Sequence, residues 1–355
     1  MGPSHSRGHG RPRFFNCPSL LNAKYRDILS GMSFLFCILF ALRSGMGRRE
    51  LYVESKFDGL PISVLERVPD GRPRAVVYLV HGLCGCKERF LPFIEYLTSN
   101  GFVCVASDHR GHGSSIRKEE DRGYMYGGGV QAVVADLDTV VDYIHEHFDS
   151  LPVFMLGHSM GSLAARAYAK HYDSRLEGLI VCGSPSSSLM APLARMTLMC
   201  MCWMGGDRLR VGYIQKFISG IYNRKFKQEG QQAWTCSDSE ERRAIAEDVR
   251  CNFIITADCA LTVMSLLHQV YSSNGWRPDK PGMPIIFLSG DDDPCMISHS
   301  AFSRSVESMH VNGYADVQVR TYPGMRHEIL NEVNKQEVWD DILDYLASGY
   351  CKIKT

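Results

Sequence analysis

The sequence predicts an α/β architecture: a mostly parallel central sheet, helices on both faces, and a helical cap inserted late in the chain. Three observations carry this. Short apolar runs of strand length alternate with amphipathic helical stretches, the pattern of parallel strands joined by right-handed crossovers. The alternation stops between residues 185 and 282 and then resumes. One strand also runs directly into a helix through Gly157-His158-Ser159-Met160-Gly161, a Gly-x-Ser-x-Gly turn in the context that gives this motif meaning.

From the N-terminus, residues 1–31 mix Gly, Pro, His, Ser and Arg, a composition that favours disorder. Met32 to Leu42 is an apolar run of 11 residues. As a helix it would span about 16 Å, against roughly 30 Å of hydrocarbon, too little to cross a membrane. It has the length of a signal-peptide core, but Arg43 follows directly and no small-x-small cleavage site is clear. A shallow membrane anchor through 32–42 is a second reading. The preferred one is a start codon placed too early, with the protein proper beginning near Met46, so 1–47 is set aside from the folded core.

Leu51–Phe57 and Pro61–Arg67 flank an Asp58-Gly59 turn and predict an antiparallel hairpin. Ala75–Val80 and Phe102–Ala106 are buried strands separated by a helix from about Cys86 to Ser99, which Gly101 ends. Val130, Val133, Val134, Leu137, Val140, Val141 and Ile144 recur at helical spacing. Val153–Leu156 is the strand before the Gly-x-Ser-x-Gly turn, and good helix formers follow it from Ser162. Gly178–Cys182, Met283–Ser289 and Val317–Thr321 are later strands, with helices striped by Phe302, Val306 and Met309 and by Val338, Ile342 and Leu346. The core is therefore expected at 48–184 and 283–355, and the cap at 185–282. Ser237 and Glu240 have the spacing of a capping box that opens a cap helix.

Composition narrows the function. Lys plus Arg equals Asp plus Glu at 39 each, so no net field favours nucleic acid or a strongly charged partner. Hydrophobic residues make up 45% of the 355, enough for a large core. The thirteen cysteines form no CxxC pair and no Cys/His cluster with zinc spacing. They read as reduced, buried thiols of a cytoplasmic protein. No P-loop or dinucleotide fingerprint is present, and neither metal nor cofactor is expected.

The serine needs a general base, and the base needs a carboxylate to hold its tautomer. In a sheet of this kind the order is Ser, then Asp or Glu, then His, the last two on loops after later strands. Asp293, in Gly290-Asp-Asp-Asp293-Pro294, and His327, in Tyr322-Pro-Gly-Met-Arg-His327-Glu328, occupy those positions. The other histidines have plainer roles: His81 braces a turn, His158 fills space beside Ser159, and His109 and His112 sit in a Gly-rich loop. Backbone N–H groups of Met160 and Leu83 are the expected oxyanion donors.

These segments together resemble the α/β-hydrolase superfamily, and within it the branch of monoacylglycerol lipases, lysophospholipases and serine aminopeptidases. The likeness runs from Leu51 to Ser348 and rests on His81-Gly82, Arg89-Phe90, Asp108-His-Arg-Gly-His-Gly-Ser114, Gly157-His-Ser-Met-Gly-Ser162, Gly290-x-x-Asp293-Pro294 and Tyr322-Pro-Gly-x-x-His327-Glu-x-x-Asn331-Glu332. It implies an α/β-hydrolase fold, a Ser159–His327–Asp293 triad, and Leu83 and Met160 as oxyanion donors. Such a family usually carries Glu-His soon after the His-Gly pair, where this chain has Gly85-Cys86. The soft run Met196–Met204, with Phe217, Ile221, Tyr222, Phe226 and Trp234 after it, suits an acyl chain. Met199, Met201, Trp203 and Met204 are its substrate-binding candidates. The expected activity is cofactor-free hydrolysis of a single-chain lipid ester, with peripheral membrane contact as a corollary. An aminopeptidase or amidase, holding a free amino terminus on Glu240, Glu241 or Glu247, and a non-catalytic binding protein are the alternatives.

Overall fold

A computed structural model describes residues 48–353. The expectations for 1–47, including the apolar run at 32–42, lie outside the described residues. Eight strands form one sheet in the order β1-β2-β4-β3-β5-β6-β7-β8. The hairpin of β1 (Arg48–Glu54) and β2 (Pro61–Arg67) turns at Asp58-Gly59 as expected and makes one edge. From β4 (Val103–Ser107) across β3 (Val76–Val80), β5 (Val153–His158), β6 (Gly178–Cys182), β7 (Ile285–Gly290) and β8 (Val317–Tyr322) every pairing is parallel. The inner strands are buried along nearly their whole length, which is why they read as unbroken apolar runs. Charged, exposed Arg48, Arg49 and Glu50 blunt the β1 edge.

Helices cover both faces. On one lie α1 (Leu91–Ser99) and, at the chain's end, α9 (Lys335–Ile353), packing Phe93, Ile94, Leu97, Val338 and Ile342 against Val77, Leu79 and Leu156. On the other, α2 (Gly129–His147) and α3 (Met160–Tyr172) pack Leu137, Val141, Leu163 and Tyr168 against Tyr78, Val80 and Met155. α1 is shorter at its start than the sequence suggests. A 3-10 turn, Lys87–Phe90, precedes it, because Asp108 takes the Lys87 N–H and Pro92 lies in the first turn of α1.

Between β6 and β7 run α4 (Ala191–Met201), α5 (Gly212–Tyr222), α6 (Ser239–Glu247) and α7 (Ala257–Tyr271). α7 sits lowest of these, its Ala257, Cys259, Leu266 and Val270 joining the same apolar cluster as α2 and α3. α8 (His299–Val311) follows β7 and adds Phe302 and Met309 to that cluster. The expected Ser237 cap is corrected. Asp238 caps α6, its carboxylate accepting the Glu240 N–H, while Ser237 donates its hydroxyl to Glu332. Glu332 is 1% exposed, and a buried carboxylate draws whatever donors it can reach. Cys200 is likewise exposed rather than buried. Among the described residues, no helix is long and apolar enough to cross a membrane.

Candidate active site

Strand order reverses between β3 and β5, since β4 lies on one side of β3 and β5 on the other. The loops leaving these two strands diverge there and open a crevice at the carboxyl edge of the sheet. Ser159 stands in it. It links β5 to α3 with φ 54° and ψ −120°, a left-handed conformation rare for a residue with a side chain. The turn is this tight because no Cβ fits on either flank. One on Gly157 would lie 2.3 Å from the Gly161 carbonyl oxygen, and one on Gly161 would lie 2.2 Å from that of Val80.

Asp293 and His327 come from the loops after β7 and β8. His327 Nε2 lies 2.8 Å from Ser159 Oγ and His327 Nδ1 lies 2.9 Å from Asp293 Oδ2. Both residues are buried, at 4% and 3% exposure. The other Asp293 oxygen accepts the Cys295 N–H at 2.8 Å, which fixes the carboxylate's orientation. The Nδ1 proton therefore points at Asp293, leaving a lone pair on Nε2 for the serine hydroxyl. Burial alone would lower the His327 pKa, but the Asp293 carboxylate outweighs it and holds the ring well above the ordinary histidine range.

The loop after β3 passes close behind the serine. A Cβ on Gly82 would come within 2.9 Å of the Ser159 Cβ, so the loop that continues into Leu83 leaves room here only for glycine. Met160 begins α3, and its N–H is a first-turn donor without an intrahelical acceptor. Asp108 braces this loop from below, accepting the Lys87 N–H at 2.8 Å, the Lys87 ammonium at 2.9 Å and the Ser114 N–H at 2.8 Å. His81 is a brace too, as expected: Nδ1–H donates to the Gly82 carbonyl at 2.8 Å and Nε2 accepts the His109 N–H at 3.1 Å. His158 donates from Nε2 to the His327 carbonyl at 3.1 Å, and burial with His327 alongside lowers its pKa to about 4.

Several neighbours were quoted in the sequence motifs without a role. Arg89 donates to Glu328 at 2.5 Å and to Glu241 of α6 at 3.1 Å, tying the residue after His327 to the segment above it. Arg326 donates to the Ala233 carbonyl at 2.6 Å and to both Glu229 oxygens at 2.7 and 2.8 Å. The Trp234 ring packs at a tilt of 40° against the His327 ring, 5.2 Å between centroids, with Tyr222 5.0 Å beyond it. Met199, Met201, Trp203 and Met204 lie on α4 and the turn after it; Met201 packs onto the core, while Trp203 is 87% exposed. Asp293, Cys295 and His327 are close enough to offer three metal ligands, but two of them are already bonded to each other.

A family model described as serine aminopeptidase, S33, matches residues 71–334. The chain belongs to the S33 family. It is 25% identical over 284 residues to a monoacylglycerol lipase of Mycolicibacterium smegmatis, covering 79% of this chain and 90% of that one. It is 31% identical to human monoglyceride lipase over 113 residues, spanning 36% of that protein. A carboxyl esterase from Bacillus coagulans superposes with a TM-score of 0.79 at 25% identity, over 86% of this chain and 99% of that one. A monoglyceride lipase of Saccharomyces cerevisiae superposes at 0.66 with 19% identity, covering 86% and 96%. The fold is that of the α/β-hydrolases, as the resemblance implies.

Proposed function

We propose that the chain is a serine carboxylester hydrolase that cleaves single-chain lipid esters such as a monoacylglycerol or a lysophospholipid. The observation that carries this reading is the continuous hydrogen-bonded series Ser159–His327–Asp293 at the switch point of the sheet. Ser159 Oγ attacks the ester carbonyl carbon while His327 Nε2 takes its proton. The oxyanion forms between the N–H groups of Leu83 and Met160, each such donor stabilising the transition state by about 2.7–4 kcal/mol. Collapse breaks the bond to the alcohol, which leaves with the proton from Nε2. Water, deprotonated by the same nitrogen, then releases the fatty acid and restores the serine.

Residues 185–282 act as the cap. Tyr222 and Trp234 give an apolar wall beside His327, and Met199, Met201, Trp203 and Met204 add soft surface farther out. Exposed Leu189, Met196, Trp203, Tyr213 and Phe217 suit peripheral contact with a lipid surface. The names of the mycobacterial and human relatives support a lipid ester, and the free cysteines suit a cytoplasmic setting. The aminopeptidase alternative fares worse. Glu241 is paired with Arg89, and the Glu240 and Glu247 side chains are 70% and 72% exposed beside Arg243, so none of the three is a buried, unpaired carboxylate held ready for a free amino terminus.

The test is hydrolysis of p-nitrophenyl esters from acetate to palmitate and of a glycerol monoester, beside aminoacyl p-nitroanilides, with Ser159→Ala in parallel. Ester turnover should fall on the order of a millionfold in the variant. Cleavage of the anilides alone, or equal rates in both proteins, would refute the proposal.

A further inference from the structure

Cys86 and Cys251 bring their sulfur atoms to 3.8 Å although 165 positions separate them. Cys86, fully buried, ends the loop that carries Leu83; Cys251, 5% exposed, lies in the turn after α6, its N–H on the Asp248 carbonyl. The pair thus joins the two layers of the site at the position where Gly85-Cys86 replaces the family's usual Glu-His. A disulfide needs its sulfurs at about 2.05 Å, so roughly 1.8 Å of closure is required. The Cys86 side is fixed by the Lys87–Asp108 bonds, which leaves the movement to residues 248–252.

A divalent metal is the competing occupant, since Asp248 is close enough to both sulfurs to be a third ligand. Arg250 already grips that carboxylate at 2.7 and 3.0 Å. A cation would have to displace this guanidinium, whereas oxidation disturbs no ion pair. The Cys251 sulfur beside it and its own burial push the Cys86 thiol well up, and Arg250 offsets only part of this, so Cys86 enters the exchange as the protonated thiol.

We propose that Cys86 and Cys251 are a modification site, a dithiol that hydrogen peroxide converts to a disulfide locking the turn after α6 onto the Leu83 loop. The more accessible Cys251 thiol is oxidised first: the O–O bond breaks, a sulfenic acid forms and water leaves. Cys86 sulfur then attacks that sulfur, the S–O bond breaks, and the departing hydroxide takes the Cys86 proton as a second water. The effect on turnover rests on the ester hydrolase reading. The tether holds the cap against the loop and slows entry of long-chain esters.

The protein is reduced, transferred to buffer with EDTA, treated with hydrogen peroxide, alkylated and digested without reductant for mass spectrometry. A Cys86–Cys251 peptide is expected, absent after dithiothreitol and absent from Cys251→Ala. Hydrolysis of p-nitrophenyl laurate should fall about fivefold on oxidation and return with dithiothreitol. Cys251→Ala should keep its untreated rate and resist this loss. Oxidation of exposed Cys200 without the cross-link, or pairing of Cys86 with another cysteine, overturns the proposal. A cross-link with unchanged hydrolysis overturns the control of turnover. If the untreated protein cleaves no ester, the hydrolase reading falls, and the peptide map still decides the modification site.

Discussion

Replacing Asp293 by Asn tests the relay at the one point where geometry dictates the outcome. One carboxylate oxygen accepts the Cys295 N–H at 2.8 Å and the other accepts His327 Nδ1–H at 2.9 Å. In Asp293→Asn only one of the two atoms can accept. The backbone N–H of Cys295 has no alternative protonation state, so the amide oxygen must stay on it, and the new NH2 group is turned towards His327. Facing a donor, Nδ1 becomes the acceptor and the ring proton moves to Nε2, against the Ser159 hydroxyl. The base is then in the wrong tautomer, which costs about 10^4 in kcat, or roughly 5.5 kcal/mol of transition-state stabilisation. The variant also loses the charge that holds the His327 pKa up. Because the base works only when neutral, a raised pKa puts the acid limb of the wild-type profile above the ordinary histidine value, and the variant's limb should shift to lower pH. The assay is kcat/KM for p-nitrophenyl butyrate from pH 5 to 9, with circular dichroism to check folding. A folded variant that loses less than about tenfold, or whose acid limb does not move, would refute the argument.

Two further outcomes follow from strain and from linkage. Ser159→Gly should unfold at a higher temperature than Ser159→Ala. The left-handed backbone at 159 costs a side-chain-bearing residue about 1–3 kcal/mol and glycine little, against about 0.5–1 kcal/mol of extra chain entropy. The net of about 1 kcal/mol is roughly 2 °C in a chain this size, and a lower midpoint for the glycine variant would sink the strain argument. Burial would raise the Glu328 pKa, but Arg89 pulls it down to about 2 from 4.5. A depressed carboxylate stabilises above its unfolded pKa and loses that contribution as pH falls towards the folded one, here between about 4.5 and 2, worth roughly 3 kcal/mol. Denaturant melts of Glu328→Gln should show lower stability at pH 7 and a shallower loss on acidification; parallel curves for both proteins would refute this.

What was legible in the sequence was local or periodic. β3 and β5 announce themselves because strands buried on both faces have no polar positions, and the nucleophile turn because two glycines four apart mark where carbonyls press against the backbone. Asp293 and His327 were placed by strand ends alone. What could not be read depends on partners far along the chain. Ser237 has a capping-box spacing, yet Glu332 claims its hydroxyl. The methionine run and Trp234 read alike as soft lining, but Met199, Trp203 and Met204 are exposed while Trp234 packs on the His327 ring, a contact across 93 positions that no local spacing signals. The cysteine count spoke of reduced thiols and was silent on which two would meet.

Burial itself does not distinguish the proposed base from its neighbours, because His81 and His327 are buried, His158 is partly so, and desolvation pushes each towards the neutral form. Partners do. His81 spends both ring nitrogens on the backbone of Gly82 and His109, and so can only hold the loop in shape. His158 uses Nε2 to support the His327 carbonyl, with the His327 ring beside it discouraging a second positive charge. Only His327 has a carboxylate on one nitrogen and a hydroxyl on the other. A proton taken from Ser159 creates an imidazolium hydrogen-bonded to Asp293, where its charge is compensated, whereas the ring nitrogens of His81 and His158 are turned to backbone groups and not to Ser159 Oγ. The proposed base is therefore the histidine of the loop after β8, although two other histidines lie nearer to Ser159 in the motifs around it.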